Sequence, residues 1–150
     1  GYKCKDCPDK WDEQYKNVIS CSSEGVGDFI KWLQKQDFYD NTTIVISGDH
    51  LTMQSDFFEL EEWQDYQKKV LNLIINPAVE VENTNRSYST MDLYPTTLAA
   101  LGANIEGNKL GLGTNLFSSE KTLIEKYGVE YVNNELMKVS RFYNNNILVK

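Results

Sequence analysis

Apolar residues recur at Val26, Phe29, Ile30 and Leu33, the i, i+3, i+4, i+7 spacing of one helix face, and the pattern predicts a helix there. Ser22 or Ser23 can cap it, Glu24 suits its first turn, and the periodicity runs out near Gln36. Asp37 to Thr42 reads as a turn-like connector. The next apolar run, Thr43-Ile44-Val45-Ile46-Ser47, is continuous and β-branched and is stopped by Gly48, which predicts a strand buried on both faces. Leu51 to Leu60 reads as a loop, Glu61 to Lys69 as helical, and Val70 to Asn76 as a second buried strand closed by Pro77. Residues 78–86 are polar and rich in Asn. Asp92 then stands as an N-cap with Pro95 in the first turn, Leu98 and Leu101 on one face and Gly102 as the stop. After the Gly-rich stretch Gly102 to Gly113, the positions Val129, Val132, Leu136, Val139 and Tyr143 keep a helical stripe nearly to the end.

Helices alternating with strands give an α/β layer structure, and a helix followed by a doubly buried strand is half of a parallel-sheet unit. The pattern shows two or three strands, whereas a sheet typically has about five or six. Either further strands escape the pattern, or the remainder of the sheet is supplied by residues that precede Gly1. The chain opens there without a Met, directly into a Cys-bearing polar stretch, and is expected to be a piece of a longer protein. A strand at 43–47 without neighbours would offer an open edge, for which a swapped or paired homodimer is the expected remedy. The chain is expected to comprise three parts: an irregular Cys-bearing segment at 1–21, an α/β portion at 22–118, and a C-terminal helical segment at 119–150.

Composition narrows the function classes. With 150 residues, 41% hydrophobic and 25% charged, the chain suits one globular domain or a large part of one. A net charge of -7 and no basic run longer than Lys68-Lys69 argue against a nucleic-acid surface or a polybasic lipid-headgroup surface. Apolar stretches such as Leu73 to Ile75 fall far short of the roughly 20 residues of a transmembrane helix. The three cysteines, Cys4, Cys7 and Cys21, allow three internal pairings, or one pair plus a partner lost upstream. Their clustering favours a local staple in an exported domain over buried thiols or a zinc site, for which too few further ligands are at hand.

The candidate chemistry lies at Gly48-Asp49-His50. In open α/β sheets ligands bind beyond the carboxyl ends of the strands, which is where this tripeptide falls. A Gly that releases the chain from the strand lets the next two side chains turn toward one centre, and carboxylate plus imidazole suits Zn, Mn or Fe without selecting among them. Taken alone, such a pair is more often a solvated carboxylate beside a locally hydrogen-bonded imidazole, and two ligands do not complete a catalytic metal site. Asp92 is better explained as a helix cap than as a ligand. Gly107 to Gly113 lacks the P-loop spacing and reads as a tight turn. Trp11, Trp32 and Trp63 are dispersed and assigned to packing, and the glycosylation patterns Asn41-Thr42-Thr43 and Asn85-Arg86-Ser87 are taken as chance.

Three ordered stretches carry a resemblance. Thr42-Thr43-Ile44-Val45-Ile46-Ser47-Gly48-Asp49-His50-Leu51-Thr52-Met53 resembles the metal-binding strand and loop of the sulfatase-like branch of the alkaline phosphatase superfamily. Met91-Asp92-Leu93-Tyr94-Pro95-Thr96-Thr97-Leu98-Ala99-Ala100-Leu101-Gly102 is similar to its "D-x-x-P-T-x-L-x-x-L-G" helix, and Leu110-Gly111-Leu112-Gly113-Thr114-Asn115-Leu116-Phe117 to its late Gly-rich loop. Together they cover roughly 42–118. Leu-Thr-Met after His50 and the Leu-Gly-Leu-Gly loop are most similar to bacterial phosphoglycerol transferases and lipoteichoic-acid synthases.

The resemblance implies the C-terminal portion of an alkaline-phosphatase-like α/β/α sandwich, a partial and mostly parallel sheet flanked by helices. It further implies Asp49 and His50 as ligands of a catalytic divalent metal, Mn ahead of Zn or Mg, bound only together with upstream ligands. The implied parent is a bacterial cell-envelope enzyme on the extracytoplasmic face of the membrane, anchored by N-terminal helices, which moves a phosphoglycerol group from a phospholipid headgroup donor to a glycan or polymer acceptor. The family's nucleophile is a metal-bound Thr upstream of the Asp-His strand. Residues 1–40 hold no candidate in a matching motif, so no catalytic residue is assigned and the piece alone is expected to be inactive. Two alternatives stand beside this: a sulfatase or phosphoester hydrolase of the same superfamily, and a non-catalytic binding or assembly module on the same fold.

Overall fold

A computed structural model describes residues 4–59, 63, 65–81 and 85–148. The chain divides into two compact units, Gly1–Asn76 and Pro77–Lys150.

The first unit is built on helix α1, Gln14–Leu33, which starts well before the apolar stripe that announces it. Glu13, not Ser22 or Ser23, is the N-cap, and its carboxylate accepts the Lys16 N–H at 2.7 Å. The irregular segment expected over 1–21 therefore ends at Glu13. The early turns escape a periodicity search because they bury Asn17 and Cys21 rather than aliphatic side chains. Asn17 Oδ1 accepts the N–H groups of Lys10 (2.8 Å) and Trp11 (3.1 Å), and its Nδ2 donates to Trp11 O (2.6 Å), so a buried amide ties the leader to the helix. A disulfide between Cys7 and Cys21 adds the staple expected in this region. Of the predicted stripe, Leu33 is buried while Val26 and Phe29 are exposed.

Strands β1, Ile44–Ser47, and β2, Asn72–Ile75, fall where the β-branched runs place them. They pair antiparallel, with Ile44 opposite Ile75 and Ser47 opposite Asn72, which corrects the expected parallel relation. A parallel return needs a crossover of a dozen or more residues, usually a helix. The only helix described between these strands is the single turn α2, Ser55–Phe58, inside the span expected to be a loop. The helix expected over Glu61 to Lys69 lies partly outside the described residues, and Tyr66–Lys69 is not helical. Ile44, Val45 and Ile46 are half-buried and Ser47 is exposed, so β1 is not covered on both faces within this chain. Phe57 is buried in an aromatic cluster, in contact with Tyr15, Phe58 and Trp63, which gives Trp63 the packing role expected of it.

The second unit centres on helix α3, Leu93–Ala100, entered through a 3-10 turn at Thr90–Asp92 and stopped at Gly102. Ser89 and Asp92 form a capping box across that turn. Asp92 thus serves the cap at one remove: Ser89 is the N-cap of the turn, and the Asp92 side chain makes no cap bond to α3. Thr96, Ala99 and Ala100 are buried, and Thr96 Oγ1 accepts the Leu116 N–H at 3.0 Å. The Gly-rich stretch folds as a small hairpin, β3 Lys109–Leu110 with β4 Gly113–Thr114, and a Cβ at Gly113 would meet Met91 O at 2.0 Å. The C-terminal segment is three short helices, α4 Leu123–Tyr127, α5 Val129–Leu136 and α6 Arg141–Asn146, and the late apolar stripe falls on the last two and the residues between them. Among its positions Val132 is buried, while Val139, between α5 and α6, is exposed.

Candidate metal-ligand pair at the end of the first strand

The ladder between β1 and β2 closes with Gly48 N–H donating to Leu71 O at 2.9 Å. Val70 packs so tightly there that a Cβ on Gly48 would lie 2.8 Å from Val70 Cγ1. The chain then bends out of the sheet, and Asp49 and His50 turn toward each other. His50 N–H donates to Asp49 Oδ1 at 2.9 Å, and His50 Nε2 lies 3.5 Å from Asp49 Oδ2. His50 Nδ1 is 2.7 Å from Leu51 O. A carbonyl can only accept, so Nδ1 carries the proton of the neutral ring and the Nε2 lone pair is left for a ligand. Fixing one ring nitrogen on a carbonyl is how metal-binding histidines are usually oriented.

The loop is held from the helix side as well. Tyr15 Oη hydrogen-bonds Thr52 Oγ1, which also accepts the Gln54 N–H at 3.2 Å. The Tyr15 ring stands edge-on to Phe57, with centroids 5.0 Å apart. The first turn of α1, which the apolar pattern did not reveal, therefore supports the candidate site.

The donors fit half of a metal site. Two ligand atoms about 2.1 Å from one tetrahedral ion sit about 3.4 Å apart, close to the 3.5 Å between Nε2 and Oδ2. No third protein ligand joins them: among the described residues, the only His, Cys, Asp or Glu group of three or more with converging ligand atoms is Cys4, Cys7 and Cys21. Two of those sulfurs are joined as a disulfide, so that trio is no zinc site. Side-chain exposures of 57% for His50 and 88% for Asp49 mean that, without an ion, the contact contributes little to stability.

Among the described residues of the second unit, two polar centres stand out, one buried and one half-buried. Asp92 is 2% exposed; Oδ1 accepts the Thr114 N–H at 2.7 Å, and Oδ2 accepts the Ser89 N–H at 2.9 Å and its hydroxyl at 3.2 Å. With both oxygens occupied it holds the hairpin to the helix and is no ligand, as its place in the sequence suggests. Sequence reasoning missed the other centre. Arg86 forms a bidentate pair with Glu125 (2.8 and 2.9 Å) and donates to the carbonyls of Leu116, Ser118 and Glu120. The guanidinium bond, helped by the N–H groups of Thr122 and Ser87, holds the Glu125 carboxyl down at about 2. A signal was available: Arg86 is one of only two arginines, and arginine is the residue suited to a planar buried pair.

Residues 3–103 match the family described as Sulfatase, and the chain belongs to that family. Among curated proteins it is similar to phosphoglycerol transferase I of Salmonella choleraesuis, at 29% identity, and of Escherichia fergusonii and Escherichia coli, both at 30%, over 104 residues in each case. These matches cover 69% of this chain, which spans only 13% of the length of those relatives. No solved structure matches. The sulfatase family carries an α/β fold, with which the helices and strands described here agree, although both small sheets are antiparallel. No helix among the described residues is long and apolar enough to cross a membrane.

Proposed function

We propose that Asp49 and His50 are two ligands of the catalytic metal in a phosphoglycerol transferase whose remaining ligands and nucleophile lie outside this chain. The observation that carries the proposal is the convergence of Asp49 Oδ2 and His50 Nε2 beyond β1, with Nδ1 held by Leu51 O. Family membership and the phosphoglycerol transferase relatives support the reaction class. Asp49 supplies a hard anionic oxygen and His50 a neutral nitrogen, a set that accepts Mn, and equally Zn or Mg with further oxygen ligands. The metal, when bound, supplies Lewis-acid stabilisation of charge on the transferred phosphoryl group. The chain's own contribution is positional: Gly48 turns the two side chains out of the sheet, and the Tyr15–Thr52 hydrogen bond steadies the adjoining loop.

In this reading the donor is a phospholipid headgroup, the acceptor is a glycan or polymer, and the parent works at the extracytoplasmic face of a bacterial membrane to which N-terminal helices anchor it. The Cys7–Cys21 disulfide supports the oxidising compartment. Further parallel strands of the parent would complete an α/β/α sandwich and cover the open β1–β2 pair and the exposed Val26 and Phe29 of α1. Without them, pairing of two copies through the open strands is the arrangement favoured for the isolated chain.

The test is replacement of Asp49 and His50 by Ala, separately, in the full-length protein. Each is expected to lower metal-dependent phosphoglycerol transfer at least about a hundredfold, with partial rescue by excess Mn. Unchanged transfer in both variants rejects the ligand role. A hydrolase of sulfate or phosphate esters is the second reading, favoured by the Sulfatase family match itself. The upstream nucleophile separates the two: a Thr supports the transferase, and a Cys or Ser in a sulfatase-type motif supports the hydrolase.

A further inference from the structure

The Sγ atoms of Cys4, Cys7 and Cys21 all lie within 4.8 Å of one another, yet only Cys7 and Cys21 are joined. Cys4 is a free, exposed thiol, Cys7 is half-buried and Cys21 is 9% exposed. Two backbone contacts organise the group. The Cys7 N–H donates to Cys4 O at 3.1 Å, closing a turn that folds the Cys4-x-x-Cys7 segment on itself. The Cys4 N–H donates to Cys21 Sγ at 3.4 Å.

We infer that these three residues form a thiol–disulfide exchange site, in which the leader is stapled either to α1 through Cys7–Cys21 or to itself through Cys4–Cys7. Cys4 loses its proton to solvent and its thiolate attacks Cys7 Sγ. The Cys4–Cys7 bond forms as the Cys7–Cys21 bond breaks, and the electron pair leaves on Cys21 Sγ, which takes a proton from solvent. Nothing is oxidised or reduced overall, so no external oxidant or reductant enters. Attack falls on Cys7 because it is the more accessible sulfur of the pair and already shares a turn with Cys4. It also makes Cys21 the leaving group, and the Cys4 N–H is placed to stabilise the departing thiolate. The exchange releases the leader from the disulfide to α1, leaving the Asn17 bonds to Lys10 and Trp11 and the Lys10–Glu24 ion pair as its ties.

The experiment uses the whole chain, incubated without added thiol, alkylated with iodoacetamide at intervals and mapped by mass spectrometry of unreduced peptides. Label is expected first on Cys4 alone, then also on Cys21, together with a Cys4–Cys7 linked peptide. The rate should rise with pH, because the thiolate is the attacking form, and should not depend on protein concentration. In Cys4→Ser, Cys21 should stay unlabelled. The inference is overturned by an unlabelled Cys21 after long incubation at pH 8, by equal Cys21 labelling in Cys4→Ser, or by a rate proportional to concentration, which would place the exchange between molecules.

Discussion

Asp49 and Asp92 each sit in a stretch that resembles the sulfatase-like family, and the structure treats them in opposite ways. Asp92 is buried, and three hydrogen bonds from Thr114 and Ser89 occupy both of its oxygens. Asp49 is 88% exposed; one oxygen accepts its neighbour's N–H and the other lies 3.5 Å from His50 Nε2. A carboxylate whose acceptor sites are filled by backbone donors is structural material. One whose acceptor sites are open, beside a second donor of matching separation, is suited to binding. Occupancy of lone pairs thus separates the two roles more sharply than residue type does.

Four changes would break or sharpen that contrast. The largest effect is expected at the Arg86–Glu125 pair of the second unit, where Arg86→Ala leaves the Glu125 carboxylate without its guanidinium. A loss of about 3–5 kcal/mol is expected in chemical denaturation, and a loss below about 1 kcal/mol would mean that solvent already screens the pair. Next, Asp92→Asn puts an amide group against a backbone N–H, either Thr114's or Ser89's. The expected cost is about 1–3 kcal/mol, read by the same measurement.

The third concerns acid. The folded Glu125 carboxyl titrates at about 2 against an ordinary 4.5, a depressed value, so its contribution is fully present above pH 4.5 and is lost as pH falls toward about 2. A denaturation series from pH 6 to 2 should show this loss in the wild-type chain and a flatter profile in Glu125→Gln. Parallel profiles would assign the acid sensitivity elsewhere. The smallest stability effect is expected for Asp49→Asn, within about 0.5 kcal/mol of wild type. A larger destabilisation would show that Asp49, like Asp92, holds the fold together.

The legible parts of the molecule were those that local chemistry decides. The β-branched runs marked β1 and β2 to within a residue or two, and Asp92, Pro95 and Gly102 marked α3. Asp49 and His50 stood out through a short motif, and their mutual approach comes from adjacency at a chain bend. The features that stayed hidden depend on partners distant in sequence. The antiparallel pairing joins residues such as Ile44 and Ile75, and Arg86 meets Glu125 across 39 positions. The first turns of α1 were hidden for another reason: a buried amide and a disulfide hold them, and neither leaves an aliphatic rhythm.

The hairpin in the second unit places unlike demands on two glycines only two positions apart. Gly111 has φ 61° with nothing within 4 Å of a would-be Cβ, so its constraint is torsional, and Asn, which tolerates that region, is an admissible replacement. Gly113 has an ordinary φ, but the Met91 carbonyl oxygen occupies the space of any side chain, so its constraint is volume and no L-residue satisfies it in place. A library randomised at both codons should recover variety at the first and a single amino acid at the second, marking where the main chain touches itself.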